Sequence, residues 1–316
     1  MTILDFEKPI YDIQSKIEEL KKVSETSGID MTKEIQNFEN QAIEYRKELY
    51  LNLKPSQKIL IARHSNRPNF TDYVHLMTTD FVEFHGDRAG TDDRAIVGGV
   101  CKIDDTPVML IGTQKGKTTK ENLEYNFGMP QPQGYKKALR LFNHASKFGL
   151  PIVTLIDTPG AYPGIKAEET GQGTAIAENL REMAKLNVPV VAVITGEGCS
   201  GGALGLAVAN KVLILEYAYY TVISPEGCAS ILWRDAAEAS TAADALKITG
   251  EDLLKFGIVD EIVKEPLGGA HYDHELMANN LKEAILKSIY NMKNMDAQAL
   301  RDDRCAKFRK MGAFTL

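Results

Sequence analysis

The chain has 316 residues, a formal net charge of −6, and 44% apolar and 25% charged residues. That composition is globular, large enough to bury a core without disulfides or metals, and without a global basic field for nucleic acid. The four scattered cysteines form no CxxC pair, no apolar run approaches the ~20 residues that span a bilayer, and MTILDFEKPI lacks a signal-peptide pattern.

A soluble, intracellular protein with reduced thiols and no metal site is therefore expected. Residues 1–54 read as two helices: Ile10, Ile13, Ile17, Leu20 and Val23 recur at helical spacing, as do Ile35, Phe38, Ala42, Tyr45 and Leu49. Ser27-Gly28 breaks the pattern, and Asp30 or Thr32 caps the second helix. The apolar stripes are narrow, so this hairpin needs a surface to rest on, either the main domain or another subunit.

From Pro55 the pattern changes. Ala95–Val100 and Val108–Gly112 read as strands joined at Asp104-Asp105-Thr106-Pro107, and Gly134–Phe148 as an amphipathic helix. A repeating unit follows. The apolar strand Ile152–Ile156 leads into the loop Asp157–Gly164 (DTPGAYPG) and a helix carrying Ile176, Leu180, Met183 and Ala184. The strand Val190–Ile194 leads into the loop Gly196–Ala203 (GEGCSGGA) and a small-residue helix, Ala203–Ala209. Val212–Leu215 and Tyr220–Ile223 continue the series. Fully apolar strands alternating with helices predict a sheet covered on both faces, with ligands bound beyond the strand carboxyl ends. Thr249-Gly250 starts a helix through Lys255, and Gly257 ends it before a strand at Ile258–Val263. Residues 275–316 read as a polar helical extension.

The two glycine-rich loops fall at those carboxyl ends. Gly201 and Gly202 let the backbone approach a ligand, and the first N–H groups of a helix lack intrahelical acceptors. Aimed into a dry pocket, such groups stabilise an oxyanion, one donor lowering a barrier by ~3–4 kcal/mol. The same glycines also suit tight packing of a helix on a sheet. DTPGAYPG offers a second N–H donor and a wall lined by Tyr162, or simply a structural turn; Asp157 reads as a loop anchor. Ser200 lies in G-C-S-G-G, which fits the bare G-x-S-x-G string, with His271 and His274 downstream as bases for a serine hydrolase. Lys115 and Lys117 (QKGK) suit an anion or plain solvation and are not a P-loop. Glu226 suits a helix N-terminus or an acid role.

Seven stretches carry a resemblance: ARHSNRP (Ala62–Pro68), GDRAGTDDRAIVGG (Gly86–Gly99), FGMPQPQGYKKALRL (Phe127–Leu141), IDTPGAYPG (Ile156–Gly164), GEGCSGGALG (Gly196–Gly205), VISPEGCASILW (Val222–Trp233) and EPLGGAH (Glu265–His271). Together they resemble the acetyl-CoA carboxylase carboxyltransferase alpha subunit over nearly the whole chain. Residues 249–263 resemble the segment that closes crotonase-superfamily domains.

The resemblance implies an α/β fold, a crotonase-like ββα superhelix, with an N-terminal helical hairpin (1–54), a carboxyltransferase domain (55–270) and a C-terminal helical extension (271–316). It implies transfer of a carboxyl group from carboxybiotin, held on a separate biotin carboxyl carrier protein, to acetyl-CoA, giving malonyl-CoA for fatty acid biosynthesis. ATP would be used by a separate biotin carboxylase. A zinc-containing beta subunit would complete an α2β2 assembly in the cytoplasm, or the stroma of a plastid, with no membrane or nucleic-acid role. By motif, Gly201 and Gly202, with Ala203 starting the helix behind them, match the alpha-side oxyanion hole, and Gly160, Ala161 and Tyr162 a biotin-binding wall. A self-sufficient crotonase-fold hydratase, or a serine hydrolase using Ser200, is the alternative. One departure is Cys199, where the family pattern has glycine; a positive φ there would strain it.

Overall fold

The computed structural model describes residues 3–312. The hairpin forms from helices Lys8–Ser27 and Thr32–Leu51, the first ended by Gly28 at φ 67°. Asp30 Oδ1 accepts the Thr32 N–H at 3.0 Å, as its place before the helix suggests. The hairpin rests on this chain's own body. Tyr50 and Leu53 share a buried cluster with Ile61 and Tyr217, and Tyr50 donates to buried Glu7 at 2.5 Å.

The sheet has eight strands: β1 (Thr79–Glu83), β2 (Ile96–Ile103), β3 (Thr106–Thr113), β4 (Ile152–Thr158), β5 (Val190–Cys199), β6 (Lys211–Leu215), β7 (Tyr219–Thr221) and β8 (Glu261–Val263). Their order is β1-β2-β3-β4-β5-β6-β8, with β7 paired to β5. The pairs β1–β2 and β2–β3 are antiparallel and the rest parallel. The β2–β3 hairpin turns at Asp104-Asp105, with Asp104 at φ 49°. Every residue of β5 is buried, so both faces are covered at the centre of the sheet, as continuous apolar strands require. Helices Pro132–Phe148 and Gln172–Met183 pack together over it, as do Phe70–Met77 and His274–Asn291.

The strand at the centre corrects one expectation. GEGC is not a loop: β5 continues through Cys199, and the helix begins at once, spanning Ser200–Leu204 rather than Ala203–Ala209. The lower half of β5 pairs with β6 over Val191–Ile194, and its upper half pairs with β7 over Glu197–Cys199. Against β4 the register slips between Ile156 and Thr158, where the partners jump from Ile194 to Gly198. Backbone groups freed by this bulge go to side chains. Thr195 O accepts Arg67 Nε at 2.7 Å, and the Glu197 N–H donates to Asp157 Oδ1 at 2.8 Å.

The C-terminal segment is less polar in place than in sequence. His274–Asn291 buries Met277, Leu281, Ile285 and Ile289 in the main core. In the last helix, Ala297–Lys310, fully buried Arg304 donates to the carbonyls of Met183, Leu186 and Val188 and to Asn210 Oδ1. Among the described residues, no helix is long and apolar enough to cross a membrane.

Candidate active site

The turn after β5 is built around a residue that sequence reasoning did not single out for it. Cys199 has φ −109°, ordinary extended backbone, and it is Ser200 that takes the left-handed conformation, at φ 59°. The expected strain is therefore not at Cys199. Its thiol is buried 3.8 Å from the Tyr219 hydroxyl, and burial together with the nearby Glu197 carboxylate pushes it up to about 12. It is an inert core group.

Ser200 bends the chain from strand into helix, which places Gly201 and Gly202 in the first turn, where N–H groups have no intrahelical acceptor. Ala203 is the fourth helical residue, fully buried behind them. The other end of this five-residue helix is held by three buried side chains. Tyr135 OH donates to Gly202 O at 3.1 Å, Asn179 Nδ2 to Gly205 O at 3.1 Å, and Thr154 Oγ1 to Leu206 O at 2.8 Å. Carbonyls that would otherwise be orphaned are thus satisfied, and the amide end is left as the open one.

The structure brings the two glycine-rich stretches into contact. A Cβ at Gly202 would stand 2.4 Å from Ala161 N and 2.5 Å from Gly160 C, so Gly202 seats directly on that backbone. Gly160 takes φ 141°, and its N–H is held by Thr158 Oγ1 at 3.1 Å. Tyr162 donates its N–H to Pro130 O at 3.0 Å and is half-buried. Ala161 N–H donates to no group among the described residues. Ser200 and Gly201 also line an apolar cavity of about 780 Å³ with Leu204, Tyr220, Val222, Phe256 and Phe308.

Behind the turn lies a charged network. Glu197 accepts Arg63 Nε at 2.7 Å, Lys115 Nζ at 2.7 Å and Tyr219 OH at 2.5 Å. Arg63 also reaches Glu226 at 2.6 Å, and Lys115 reaches Asp157 at 2.7 Å. Burial pushes the Glu197 carboxyl up, but Lys115 and Arg63 outweigh it and hold it at about 2. Burial opposes the charge on Lys115, and Asp157 and Glu197 raise its pKa despite that. Lys115 is therefore a committed ion-pair partner rather than a spare anion binder, and Lys117 pairs with Asp72 at 2.7 Å. Asp157 is the loop anchor expected of it. Glu226 sits in the first turn of Pro225–Leu232 and serves Arg63. Arg63 and Glu197 were visible only as letters of longer motifs; no local spacing marks them as partners.

The hydrolase alternative finds no support in the geometry. Among the described residues, no histidine bonds Ser200. His271 stacks on His64 at 4.0 Å between ring centres, and His274 Nε2 lies 2.8 Å from Asn66 O. Nor do any three His, Cys, Asp or Glu side chains among them form a group able to hold a metal ion.

Comparison with known proteins identifies the family. A family model described as acetyl co-enzyme A carboxylase carboxyltransferase-like matches residues 3–312. The acetyl-coenzyme A carboxylase carboxyl transferase subunit alpha of Thermus thermophilus is 52% identical over 311 residues, covering 98% of each chain. That of Geobacter metallireducens is 53% identical over 311 residues, also 98% of each. Among solved structures, transcarboxylase 12S superposes with a TM-score of 0.59 at 19% identity, covering 72% of this chain and 42% of that one. A Pseudomonas malonate decarboxylase hetero-tetramer gives a TM-score of 0.55 at 14% identity, covering 68% and 88%. These structural likenesses speak for the fold alone, the crotonase-like α/β fold of carboxyltransferases.

Proposed function

The chain belongs to the acetyl-CoA carboxylase carboxyltransferase alpha-subunit family, and from that premise we propose that Gly201 and Gly202 supply backbone donors to the carboxyl transfer, with Ala203 packed behind them and Gly160, Ala161 and Tyr162 as the facing wall. Membership makes it the alpha component of the carboxyltransferase, with a beta subunit as partner and carboxybiotin on a separate carrier as co-substrate. The observation that carries the site is the seating of Gly202 on Gly160–Ala161, which sets two amide-bearing turns side by side.

In this reading the N–H groups of Gly201 and Gly202 hold the negative charge that develops on the ureido oxygen as the N–CO2 bond breaks. The biotin released takes the proton lost by the acetyl methyl group, and the carboxyl carbon bonds to that methyl carbon, giving malonyl-CoA. No protein base is needed, consistent with Glu197 being held ionised and enclosed by donors. The apolar cavity beside Gly201 suits the biotin ring and its arm. Val222, Ile165 and Ile231 stand 81%, 81% and 70% exposed on the segments that follow β7 and β4, apolar side chains suited to cover by the beta subunit. We further propose an α2β2 assembly, with the zinc site in the beta subunit, ATP use confined to a separate biotin carboxylase, and a cytoplasmic setting.

The test is reconstitution. This chain and its beta partner, supplied with carboxylated carrier and acetyl-CoA, form malonyl-CoA, and neither does so alone. Gly202→Val abolishes transfer while the complex still assembles on gel filtration. A pair that binds the carrier but never carboxylates acetyl-CoA overturns the proposal, and full activity in Gly202→Val removes the donor role.

A further inference from the structure

We infer that Glu197 is a positioning residue for the turn that carries Gly201 and Gly202, an inference that rests on the donor role proposed above. Segments distant in sequence meet on its carboxylate. Arg63 follows the helix Pro55–Ala62, Lys115 follows β3, and Tyr219 belongs to β7. Two more are tied at one remove: β4 through Asp157, which takes both Lys115 Nζ and the Glu197 N–H, and the helix Pro225–Leu232 through Glu226, which takes Arg63. Glu197 thereby fixes β5 at the place where its ladder to β4 slips and its pairing passes from β6 to β7. Glycine opens the space for this. A Cβ at Gly196 would lie 2.5 Å from Asp157 Oδ1. Immediately beyond, Ser200 takes its left-handed conformation and the helix starts.

The carboxylate does not act on substrate directly. Its side chain is 8% exposed, Oε1 is taken by Lys115, and Oε2 by Arg63 and Tyr219. What it supplies is a full negative charge that three donors share. Glutamine in its place offers one acceptor oxygen and brings an N–H2 against donors, so the half-buried Arg63 and Lys115 lose the counter-charge they share and keep only Glu226 and Asp157. The strand end then keeps its three-residue pairing with β7, the Thr158–Gly198 pair with β4 and the Glu197 N–H to Asp157, and loses the side-chain anchor that ties it to Arg63, Lys115 and Tyr219.

The experiment compares wild type, Glu197→Gln and the double variant Lys115→Met/Glu197→Gln in complex with the beta subunit. It reads amide hydrogen exchange over residues 196–206 and the kinetics of malonyl-CoA formation. In Glu197→Gln, exchange at 199–203 accelerates by about 10-fold or more while that of Ile152–Ile156 stays slow. Turnover falls by about 10-fold or more, with the KM for the carrier within about 2-fold of wild type. The double variant, with one of the two cations removed from around the amide, recovers part of both losses. Unchanged exchange at the turn in Glu197→Gln overturns the inference, as does a double variant no better than the single. Faster exchange with full turnover leaves Glu197 as the anchor of the turn and refutes the donor role of Gly201 and Gly202 instead. If Glu197→Gln does not assemble, an assembled double variant with a protected turn supports the inference, and one with an unprotected turn overturns it.

Discussion

Gly202 and Ala161 touch so closely that a Cβ at position 202 would lie 2.4 Å from the Ala161 amide nitrogen, whereas one at Gly201 would meet nothing nearer than Ile176 at 3.8 Å. Adjacent glycines in one helical turn therefore differ in what they tolerate. Gly202→Ala forces two backbone segments apart, at a cost of ~1–3 kcal/mol of overpacking strain. Gly201→Ala keeps its N–H and gains helix propensity worth up to ~1 kcal/mol. Thermal unfolding of the two variants checks this: Gly202→Ala melts lower than wild type and Gly201→Ala at or above it. Equal melting temperatures would remove the argument that the two turns are in forced contact.

How much of this was legible in the sequence follows from the range of each interaction. The central strands were, because runs of four or five residues, apolar but for Thr154 and bounded by proline or polar residues, leave little else to form. The last residues of β5 were not. Gly196 to Cys199 read as loop because Glu197 looks unfit for a buried strand, and its fitness depends on Arg63 and Lys115, which lie 134 and 82 residues away in sequence. The helix start at Ser200 escaped for a different reason: a serine at φ 59° is set by the packing around it and by no cap signal of its own. The buried face of His274–Asn291 was there to be read, since Met277, Leu281, Ile285 and Ile289 recur every four residues, but charged neighbours masked it.

Arg67 and Glu265 form the most enclosed ion pair of the site region, their side chains 3% and 0% exposed. The guanidinium meets both carboxylate oxygens, at 2.9 and 2.5 Å, and its Nε takes Thr195 O at the bulge. Glu265 also accepts the N–H groups of Tyr217 and Ala270. Removing one charge strands the other in a dry environment, which costs ~3–5 kcal/mol. Arg67→Met and Glu265→Gln should each lower stability by that order in urea unfolding, and the double variant by clearly less than the sum. A loss below ~1 kcal/mol in either single variant would show that water already reaches the pair.

His271 gives stability a dependence on acid. Burial, then the neighbouring His64, Arg67, His274 and Arg46, lowers its pKa from the ordinary 6.5 to about 3. The native state thus keeps the ring neutral while the unfolded chain binds a proton below pH 6.5. Its contribution is whole above pH 6.5 and is lost as pH falls from there toward 3, with a slope approaching ~1.4 kcal/mol per pH unit for one proton. Glu197 acts with the same sign in a lower window: its depressed value leaves its contribution intact above pH 4.5 and lost as pH falls toward 2. His271→Phe keeps a ring against His64 and removes the titration. Between pH 6.5 and 4.5, urea unfolding should show a shallower fall for this variant than for wild type. Parallel curves would mean that His271 is protonated in the folded protein.

Ser200 tests whether the turn works through its backbone or through a hydroxyl. It is exposed, at φ 59°, and no histidine among the described residues bonds it. A left-handed conformation costs a residue with a Cβ ~1–2 kcal/mol, which glycine does not pay. Ser200→Gly should therefore be at least as stable as wild type, and Ser200→Val, β-branched at positive φ, much less so. For activity the two chemistries separate widely. A nucleophilic serine replaced by alanine loses on the order of 10⁶ in turnover, whereas a neighbour of backbone donors replaced by alanine leaves them in place. Malonyl-CoA formation by the reconstituted Ser200→Ala complex should stay within about 3-fold of wild type. A loss of several orders of magnitude, with the melting temperature unchanged, would transfer the chemistry from the amides of Gly201 and Gly202 to the Ser200 hydroxyl.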